Sequence, residues 1–376
     1  MIFEETPKAN LEVLDGHGAT NKLIRGDNLS VLKTLLDTHA NQIDLVYIDP
    51  PFATNTNFKI GRERANTISS SAADEIAYSD TLVGPVFLEF LRERLVFIRE
   101  LLSDRGSIYL HIDYKIGHYV KLIMDEVFGA KNFRNDITRI KCNPKNFQRK
   151  GYGNIKDLIL FYSKSDNPTW NHPQIALSEE EEDRLFKKID TNGRRYTTIP
   201  LHAPGETANG NTGKAWRGIK PPQGRHWRSE PAVLEELENQ GLIEWSSTGV
   251  PRKKIYLDEK EGKKMQDIWE FKDPQYPSYP TEKNLDLLKF IVNASSNAGD
   301  LILDCFCGSG TTLVAAQNLR RNWIGIDQSE SAIRVAQERI AKETSAEFEL
   351  LIESQVSSEI RAVVRSPAKQ RVATLF

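Results

Sequence analysis

Residues 301–312 read Leu-Ile-Leu-Asp-Cys-Phe-Cys-Gly-Ser-Gly-Thr-Thr. A short apolar run stops at an aspartate, passes two glycines and opens onto Thr311–Leu319, which has helical spacing. An apolar run of strand length without alternation fits a parallel strand buried on both faces, and a helix is what carries the chain back over such a sheet. The same grammar recurs before and after it. Asn21–Gly26 reads as a strand and Leu29–Leu36 as a helix, with Asp27 or Asn28 as its N-cap. Strand Ile43–Ile48, helix Pro85–Leu102, strand Ser107–Ile112 and helix Lys115–Phe128 follow, then strands Asp136–Lys141 and Ile155–Tyr162. Late in the chain come helix Asn284–Ser295, strand Asn322–Ile326 and helix Ser329–Ile340. Strands alternating with helices in both outer thirds predict one α/β domain with a doubly wound sheet.

The middle breaks that rhythm. Residues 165–273 hold five of the six tryptophans (Trp170, Trp216, Trp227, Trp245 and Trp269), with frequent Gly and Pro. Only Ser178–Lys188 and Pro231–Gln240 read as helices there, so the stretch is expected to be an inserted module. The expected divisions are 1–164 and 274–341 for the two halves of the α/β domain, 165–273 for the insert and 342–376 for a C-terminal extension. Residues 53–84 are polar with little periodicity and are expected to be a loop, long enough to act as a lid or binding loop.

Composition removes several classes. With 39% hydrophobic and 27% charged residues among 376, the chain has an ordinary globular mix and is not a disordered polymer. No run of about 18 apolar residues marks a membrane span, and the N-terminus lacks a signal-peptide pattern. Three cysteines, Cys142, Cys305 and Cys307, do not make a disulfide framework. A cytoplasmic location is expected. Net charge is only −2, but it is unevenly spread. Lys131–Lys164 and Lys187–Arg228 each carry nine basic residues against two acidic ones.

Two turns carry the chemistry. In the first, Gly308, Ser309 and Gly310 are followed by Asp327 at the end of the next strand, 17 residues beyond Gly310. An acidic residue there can take the hydroxyls of a ribose. The loop lacks a Gly-Lys-Ser/Thr ending and misses Gly-x-Gly-x-x-Gly, so an adenosyl ligand without phosphates fits better than a nucleotide phosphate. Cys305-x-Cys307 has no second ligand pair, so no metal is expected; both are read as small buried thiols. In the second turn, Asp49-Pro50-Pro51-Phe52 closes the strand Ile43–Ile48. Two prolines fix the backbone, so the carboxylate and the carbonyls point in set directions. The amine of a nucleobase is a poor nucleophile because its lone pair is delocalised. A carboxylate and a rigid carbonyl that each accept one N–H favour a pyramidal nitrogen. An aromatic side chain at Phe52 can stack on the base.

Together these motifs resemble the S-adenosylmethionine-dependent amino-methyltransferases that act on DNA bases. Asp49–Phe52 is similar to their catalytic turn and Asp304–Thr312 to their cofactor loop. The catalytic turn comes first, then a variable region, then Tyr279-Pro280-Thr281-Glu282-Lys283, then the cofactor loop. That circularly permuted order resembles the β-group, which includes Type II and Type III modification methylases, and the likeness spans roughly residues 20–340. The chain departs from the usual pattern at Cys305, where proline is common, and at Tyr279, where histidine is common.

The resemblance implies a Rossmann-like methyltransferase sheet. It implies that Asp49 and the Pro50 carbonyl hold the target amine, with Pro51 and Phe52 completing the turn. Asp304, Phe306, Gly308, Ser309, Gly310, Thr311 and Thr312 would cradle the cofactor, and Asp327 its ribose. Thr281, Glu282 and Lys283 would run along the methionine part, and Asp27 and Asn28 would add an N-terminal contact. The insert would be the target-recognition domain. Asp before Pro-Pro leans towards adenine.

The target atom is buried in a duplex, so the base must be flipped out. The basic blocks suit phosphate contacts. Lys141, Arg194, Arg195, Lys214, Arg217, Arg225 and Arg228 are the candidate DNA ligands, interleaved with Tyr196, Trp216 and Trp227. Duplex DNA is the expected partner; the family likeness also admits a homodimer and a restriction subunit. The rival readings are cytosine N4 or an RNA adenine as acceptor, a catalytically silent DNA-binding subunit, and a nucleotide-binding regulator.

Overall fold

In the computed structural model, residues 2–51, 56–60, 65–66, 75–80, 84–144, 150–207, 209–275 and 282–354 are described, those between 56 and 80 by their backbone alone. Phe52, Thr281 and the tail after Ser354 lie outside the described residues. The chain divides into two compact units, Met1–Pro173 with Gln266–Phe376, and Gln174–Met265.

The first unit is built on a ten-stranded sheet. In chain order its strands are β1 (Leu11–Asp15), β2 (Asn21–Arg25), β3 (Ile43–Ile48), β4 (Leu102–Ile112), β5 (Phe133–Ile140), β6 (Lys156–Ser163), β7 (Ile268–Trp269), β8 (Leu301–Asp304), β9 (Asn322–Asp327) and β10 (Phe348–Glu353). Across the sheet they run β1-β10-β2-β9-β8-β3-β4-β6-β5-β7. From β10 to β4 every neighbour is parallel. At one end β6 enters antiparallel to β4 and β5, and at the other β1 is antiparallel to β10. Thus Phe348–Glu353, which opens the stretch expected to be an extension, is an internal strand of this sheet.

Helices cover both faces, as an all-parallel centre requires. Alternate residues of each strand divide between them. Ile24, Val46, Ile48, Ile108 and Leu110 pack with helices α1 (Asn28–His39), α2 (Pro85–Leu101) and α3 (Gly117–Phe128), through Leu32, Leu35, Leu91, Leu95, Val120 and Met124. Helices α4 (Leu285–Ser295), α5 (Thr311–Asn318) and α6 (Glu330–Glu343) pack in turn on one another. The α4 end is tied to β4 by Tyr109 and Ser295, whose hydroxyls lie 2.8 Å apart.

One part of the core is polar. Tyr47 on β3 meets His111 Nδ1 on β4 (2.8 Å), and His111 Nε2 faces Asp157 on β6 (3.3 Å). The fully buried Arg139 on β5 lies 3.6 Å from the same carboxylate, donates from Nε to the Phe271 carbonyl and pairs with Asp273. Buried charges survive only when paired. Here the pairing moors the segment after β7 to the sheet.

The segment expected to be a plain loop contains Thr56–Ile60, Ala65–Asn66 and Glu75–Asp80, which form a three-stranded antiparallel sheet. The β-favouring Phe58, Ile60, Ile76 and Tyr78 supply the propensity; the intervening Asn, Ser and Asp hide it in a sequence window.

The second unit holds a four-stranded antiparallel sheet in the order Lys188–Ile189, Arg195–Pro200, Pro251–Tyr256, Ile243–Trp245. It also holds a hairpin, His202–Pro204 with Arg225–Trp227, a two-stranded ladder, Gln174–Ile175 with Lys263–Lys264, and the helices Glu179–Leu185 and Pro231–Asn239. Its core is Leu201, Trp216, Trp227, Leu234 and Ile243, with Trp245 stacked on Trp216 at 5.4 Å. The Trp216 and Trp227 rings are therefore interior packing, and neither is a surface on which a base can stack. None of the described helices is long and apolar enough to cross a membrane.

Candidate active site

Strands β3 and β8 lie side by side and parallel, with Ile302 opposite Leu45 and Leu303 opposite Val46. From β8 the chain proceeds to β9 on one side; from β3 it proceeds to β4 on the other. Ligands of open α/β sheets sit at such a reversal, outside the carboxyl ends of the strands. The Asp-Pro-Pro turn and the glycine loop both begin at that edge, from adjacent strands.

The glycine loop is held by carboxylates. Asp304 Oδ1 accepts from the Phe306 amide (3.0 Å) and Oδ2 from the Thr312 hydroxyl (2.6 Å), tying the end of β8 to the first turn of α5. Asp327 Oδ2 accepts from the Gly308 amide (3.0 Å) and Oδ1 from the Ser329 amide (2.8 Å). Gly308 and Gly310 both adopt left-handed backbone, at φ +49° and +76°. A Cβ on Gly310 would meet Ala336 Cβ at 3.1 Å, whereas a Cβ on Gly308 would point into open space. Gly310 thus serves packing against α6, and Gly308 keeps a cradle clear. Cys305 and Cys307 are buried, and burial pushes both thiols above their ordinary range.

At the other turn, Pro50 is buried and Asp49 is partly buried. Asp49 Oδ2 pairs with Lys283. Asp49 Oδ1 is buried and has no hydrogen-bond partner among the described residues. An unmatched buried carboxylate oxygen costs on the order of 1–3 kcal/mol or more, so this atom is open to a hydrogen-bond donor. Asp49 and Asp327 also add to the effect of burial on Asp304, whose carboxyl is pushed up to about 7.

Two arginines outside the expected set brace this edge. Arg94, on the buried stripe of α2, donates to Asn28 Oδ1 (2.5 Å) and lies 3.3 Å from Asp27. Asn28 Nδ2 in turn donates to the Cys305 carbonyl (2.8 Å), and Asp27 caps α1 by accepting from the Leu29 amide. The Arg94 guanidinium also lies over Phe90, 3.5 Å from the ring centroid, and Phe90 flanks Phe306 at 6.1 Å. Arg339 on α6 donates to Thr311 Oγ1 (2.8 Å), approaches Ser309 Oγ at 3.5 Å and pairs with Glu282 (2.9 Å). It staples the segment ahead of Lys283 to the glycine loop. A sequence signal exists for both: each arginine falls on an otherwise apolar helical stripe, Arg94 beside Leu91 and Leu95, Arg339 beside Ala336 and Ile340.

Asp27, Asn28, Asp49, Glu282, Lys283, the residues from Asp304 to Thr312 and Asp327 therefore share one edge of the first unit. Phe52 and Thr281 lie outside the described residues. Of the candidate DNA ligands, Lys141 belongs to the first unit and the other six to the second. Lys141 is bound to Asp157 at 2.6 Å. Arg194 pairs with Asp258 and Glu259, Arg195 with Asp183, and Arg217 with Glu235 and Glu238. Lys214, Arg225 and Arg228 are exposed and form no ion pair among the described residues.

Residues 43–338 match the family model of a DNA methylase of the N6/N4 type. The chain belongs to the N6/N4 DNA methylase family. These are S-adenosylmethionine-dependent enzymes. Over 327 residues the methylase is 42% identical to the Type II methyltransferase M.EcaI of Enterobacter cloacae, covering 85% of this chain and 69% of that protein. Over 337 residues it is 26% identical to the Mod subunit of the Type III restriction-modification enzyme StyLTI of Salmonella typhimurium, covering 80% of this chain and 50% of the relative. Among solved structures, that of the M1.HpyAVI–SAM complex is similar at 17% identity and a TM-score of 0.45, over 85% of this chain and 98% of that one.

The residues of this methylase fit the family's methyl donor. The space in front of Gly308 is clear, and Asp327 ends β9 beside it, bonded to the Gly308 amide.

Two tests follow from this geometry. Gly310→Ala should lower the thermal midpoint more than Gly308→Ala: both carry left-handed strain of about 1–2 kcal/mol, but only the first meets Ala336. Gly308→Ala should instead weaken S-adenosylmethionine binding measured by calorimetry; equal thermal shifts would contradict the division of roles. Asp304 tests the electrostatics. Its folded pKa, about 7, lies above the ordinary 3.8, so the folded state holds an extra proton between them and loses stability as pH rises through that window. Asp304→Asn removes this loss. Its urea-unfolding stability relative to wild type should therefore climb from pH 4 to pH 7; a constant difference would show that Asp304 is not strained by burial.

Proposed function

We propose that this chain methylates the exocyclic amine of an adenine flipped out of duplex DNA. The observation that carries the reading is the unmatched, buried Asp49 Oδ1 at a Pro-Pro turn beside the glycine loop. Bound S-adenosylmethionine supplies an electrophilic methyl carbon.

The chain's residues do the rest. Lys283 holds Asp49 Oδ2, which leaves Oδ1 to accept one N–H of the target amine. The Pro50 carbonyl, fixed by the proline ring, takes the other. Both bonds pull the nitrogen towards tetrahedral geometry and free its lone pair, and the carboxylate is placed to receive the proton that the nitrogen sheds. Such catalysis is positioning plus electrostatics. Asp327 takes the ribose, Asp27 and Asn28 border the pocket, and Glu282 and Lys283 run along the methionine part. Phe52 stacks on the base and Thr281 completes the cofactor contact. The second unit, Gln174–Met265, reads the target.

Adenine is favoured by the aspartate that precedes Pro50-Pro51. The names of the relatives, a Type II methyltransferase and a restriction-modification Mod subunit, support a role in restriction–modification. A restriction subunit or a second copy of the chain as partner belongs to the same proposal.

The test is transfer of a labelled methyl group from S-adenosylmethionine to unmethylated duplex DNA, followed by digestion to nucleosides. N6-methyladenine is expected. N4-methylcytosine would keep the site and change the acceptor; label in RNA alone, or in neither nucleic acid, would overturn the reading.

A further inference from the structure

The seven cations that the sequence offers as DNA ligands do not share one electrostatic state. Arg194 grips Asp258 with two bonds of 2.8 Å, meets Glu259 at 2.6 Å and lies over the Tyr256 ring. Arg217 grips Glu235 with bonds of 3.0 and 2.6 Å and meets Glu238 at 3.2 Å. One guanidinium between two carboxylates leaves a net charge of −1 at each place. A phosphate approaching either would meet repulsion, and would have to displace a bidentate pair already as strong as the one it offers. Arg195 is likewise committed, to Asp183 (2.8 Å) and the Phe186 carbonyl.

Another group in the same unit has the opposite balance. The hairpin His202–Pro204 with Arg225–Trp227 brings Arg225 Nη1 to 3.3 Å from His202 Nδ1. Arg228 follows directly; its amide donates to the Leu201 carbonyl (2.7 Å) and its Nε to the Pro200 carbonyl (3.1 Å). Arg252 stands opposite Pro200 in the sheet, with its Nε on Thr198 Oγ1 (2.9 Å) and Nη2 on the Thr198 carbonyl (2.8 Å). Arg225 sits against the His202 imidazole, while Arg228 and Arg252 are anchored on the strand that leads into it, at Pro200 and Thr198. His202, already disfavoured as a cation by burial, is pushed further down by all three.

No carboxylate among the described residues forms an ion pair with any of the three. The neighbouring acids are turned to other work. Glu206 accepts from the Gly224 amide, and Glu244, opposite Arg252, is taken by Lys188 and the Tyr196 hydroxyl. Glu230, two residues after Arg228, makes no ion pair with it. Arg225 and Arg228 are exposed, as are Lys214 and Lys220 on the long excursion between the hairpin strands. Three guanidiniums held partly by neutral carbonyls and hydroxyls keep their positive charge for an anion. Guanidinium donors match phosphate oxygens in geometry.

We propose that Arg225, Arg228 and Arg252, anchored at His202 and on the strand that leads into it, are the phosphate-gripping surface of the second unit on duplex DNA, and that Arg194, Arg195 and Arg217 are structural ion pairs that do not touch it. The assignment rests on the DNA-methylating reading above. It adds Arg252 and His202 to the candidates and removes three that sequence alone favoured.

The test is binding of the full-length chain to a fluorescent duplex of random sequence, followed by anisotropy across a potassium chloride series. Each phosphate contact contributes roughly 0.9 to the slope of log affinity against log salt. Arg225→Gln with Arg228→Gln should reduce that slope by about 2. Arg225→Gln alone should reduce it by about 1. Arg225→Lys with Arg228→Lys, which keeps the charge, should hold it. Arg194→Gln with Arg217→Gln removes the same formal charge and should leave the slope unchanged while lowering the thermal midpoint. Equal loss of slope in both Gln pairs, or loss only in the Arg194/Arg217 pair, would overturn the assignment. Wild-type chain that binds no duplex would overturn the methylase reading beneath it, which labelled methyl transfer tests separately.

Discussion

The parallel pairing of β3 with β8 is the contact on which the rest depends. It places Asp49 beside Asp304, 255 positions later in the chain, on adjacent strands of one sheet. Neither turn is a site alone. The glycine loop offers a clear cradle but no group to activate an amine, and the Asp-Pro-Pro turn offers an acceptor but no place for a methyl donor. Parallel strands bury both faces, so the register is fixed by side chains on each side of the sheet. The edge where chemistry happens inherits that rigidity.

What is left free at that edge is as informative as what is bonded. Asp304 bonds a loop amide and a hydroxyl, each Asp327 oxygen accepts from one loop amide with a second lone pair to spare, Asn28 spends its amide on Cys305, and Arg94 and Arg339 staple the borders. Against this background of bonded groups, one oxygen of Asp49 is buried without a partner among the described residues. Folding tolerates such an atom poorly, and the cost is characteristic of a site prepared for a donor that arrives later. Lys283 makes the arrangement workable, because it neutralises the carboxylate through the other oxygen and so fixes which one is open.

Much of this was legible in the sequence. The apolar runs Ile43–Ile48 and Leu301–Asp304 are strands as read, because buried parallel strands need no alternation to be recognised. The two turns announce themselves through Pro and Gly, whose backbone rules are local. The second unit was not legible in this way. Its strands, such as Arg195–Pro200 and Pro251–Tyr256, are short and half polar, and in the sequence Trp216 and Trp227 stand among the candidate DNA ligands. Trp216 and Trp227 are core because a unit of such short strands has little else with which to fill its interior. Charge was the least legible property. Arg194 and Asp258 are 64 positions apart, and a count of basic residues in a window sees the guanidinium without the carboxylate that cancels it.

The central claim is that Asp49 acts on the target amine and not on the cofactor. The most direct measurement compares wild type with Asp49→Ala in two readouts on the same preparation: S-adenosylmethionine binding by calorimetry, and single-turnover methyl transfer to duplex DNA. For Asp49 in that role, near-normal cofactor affinity with transfer abolished is expected. Transfer at the wild-type rate, or cofactor binding lost together with transfer, would contradict it.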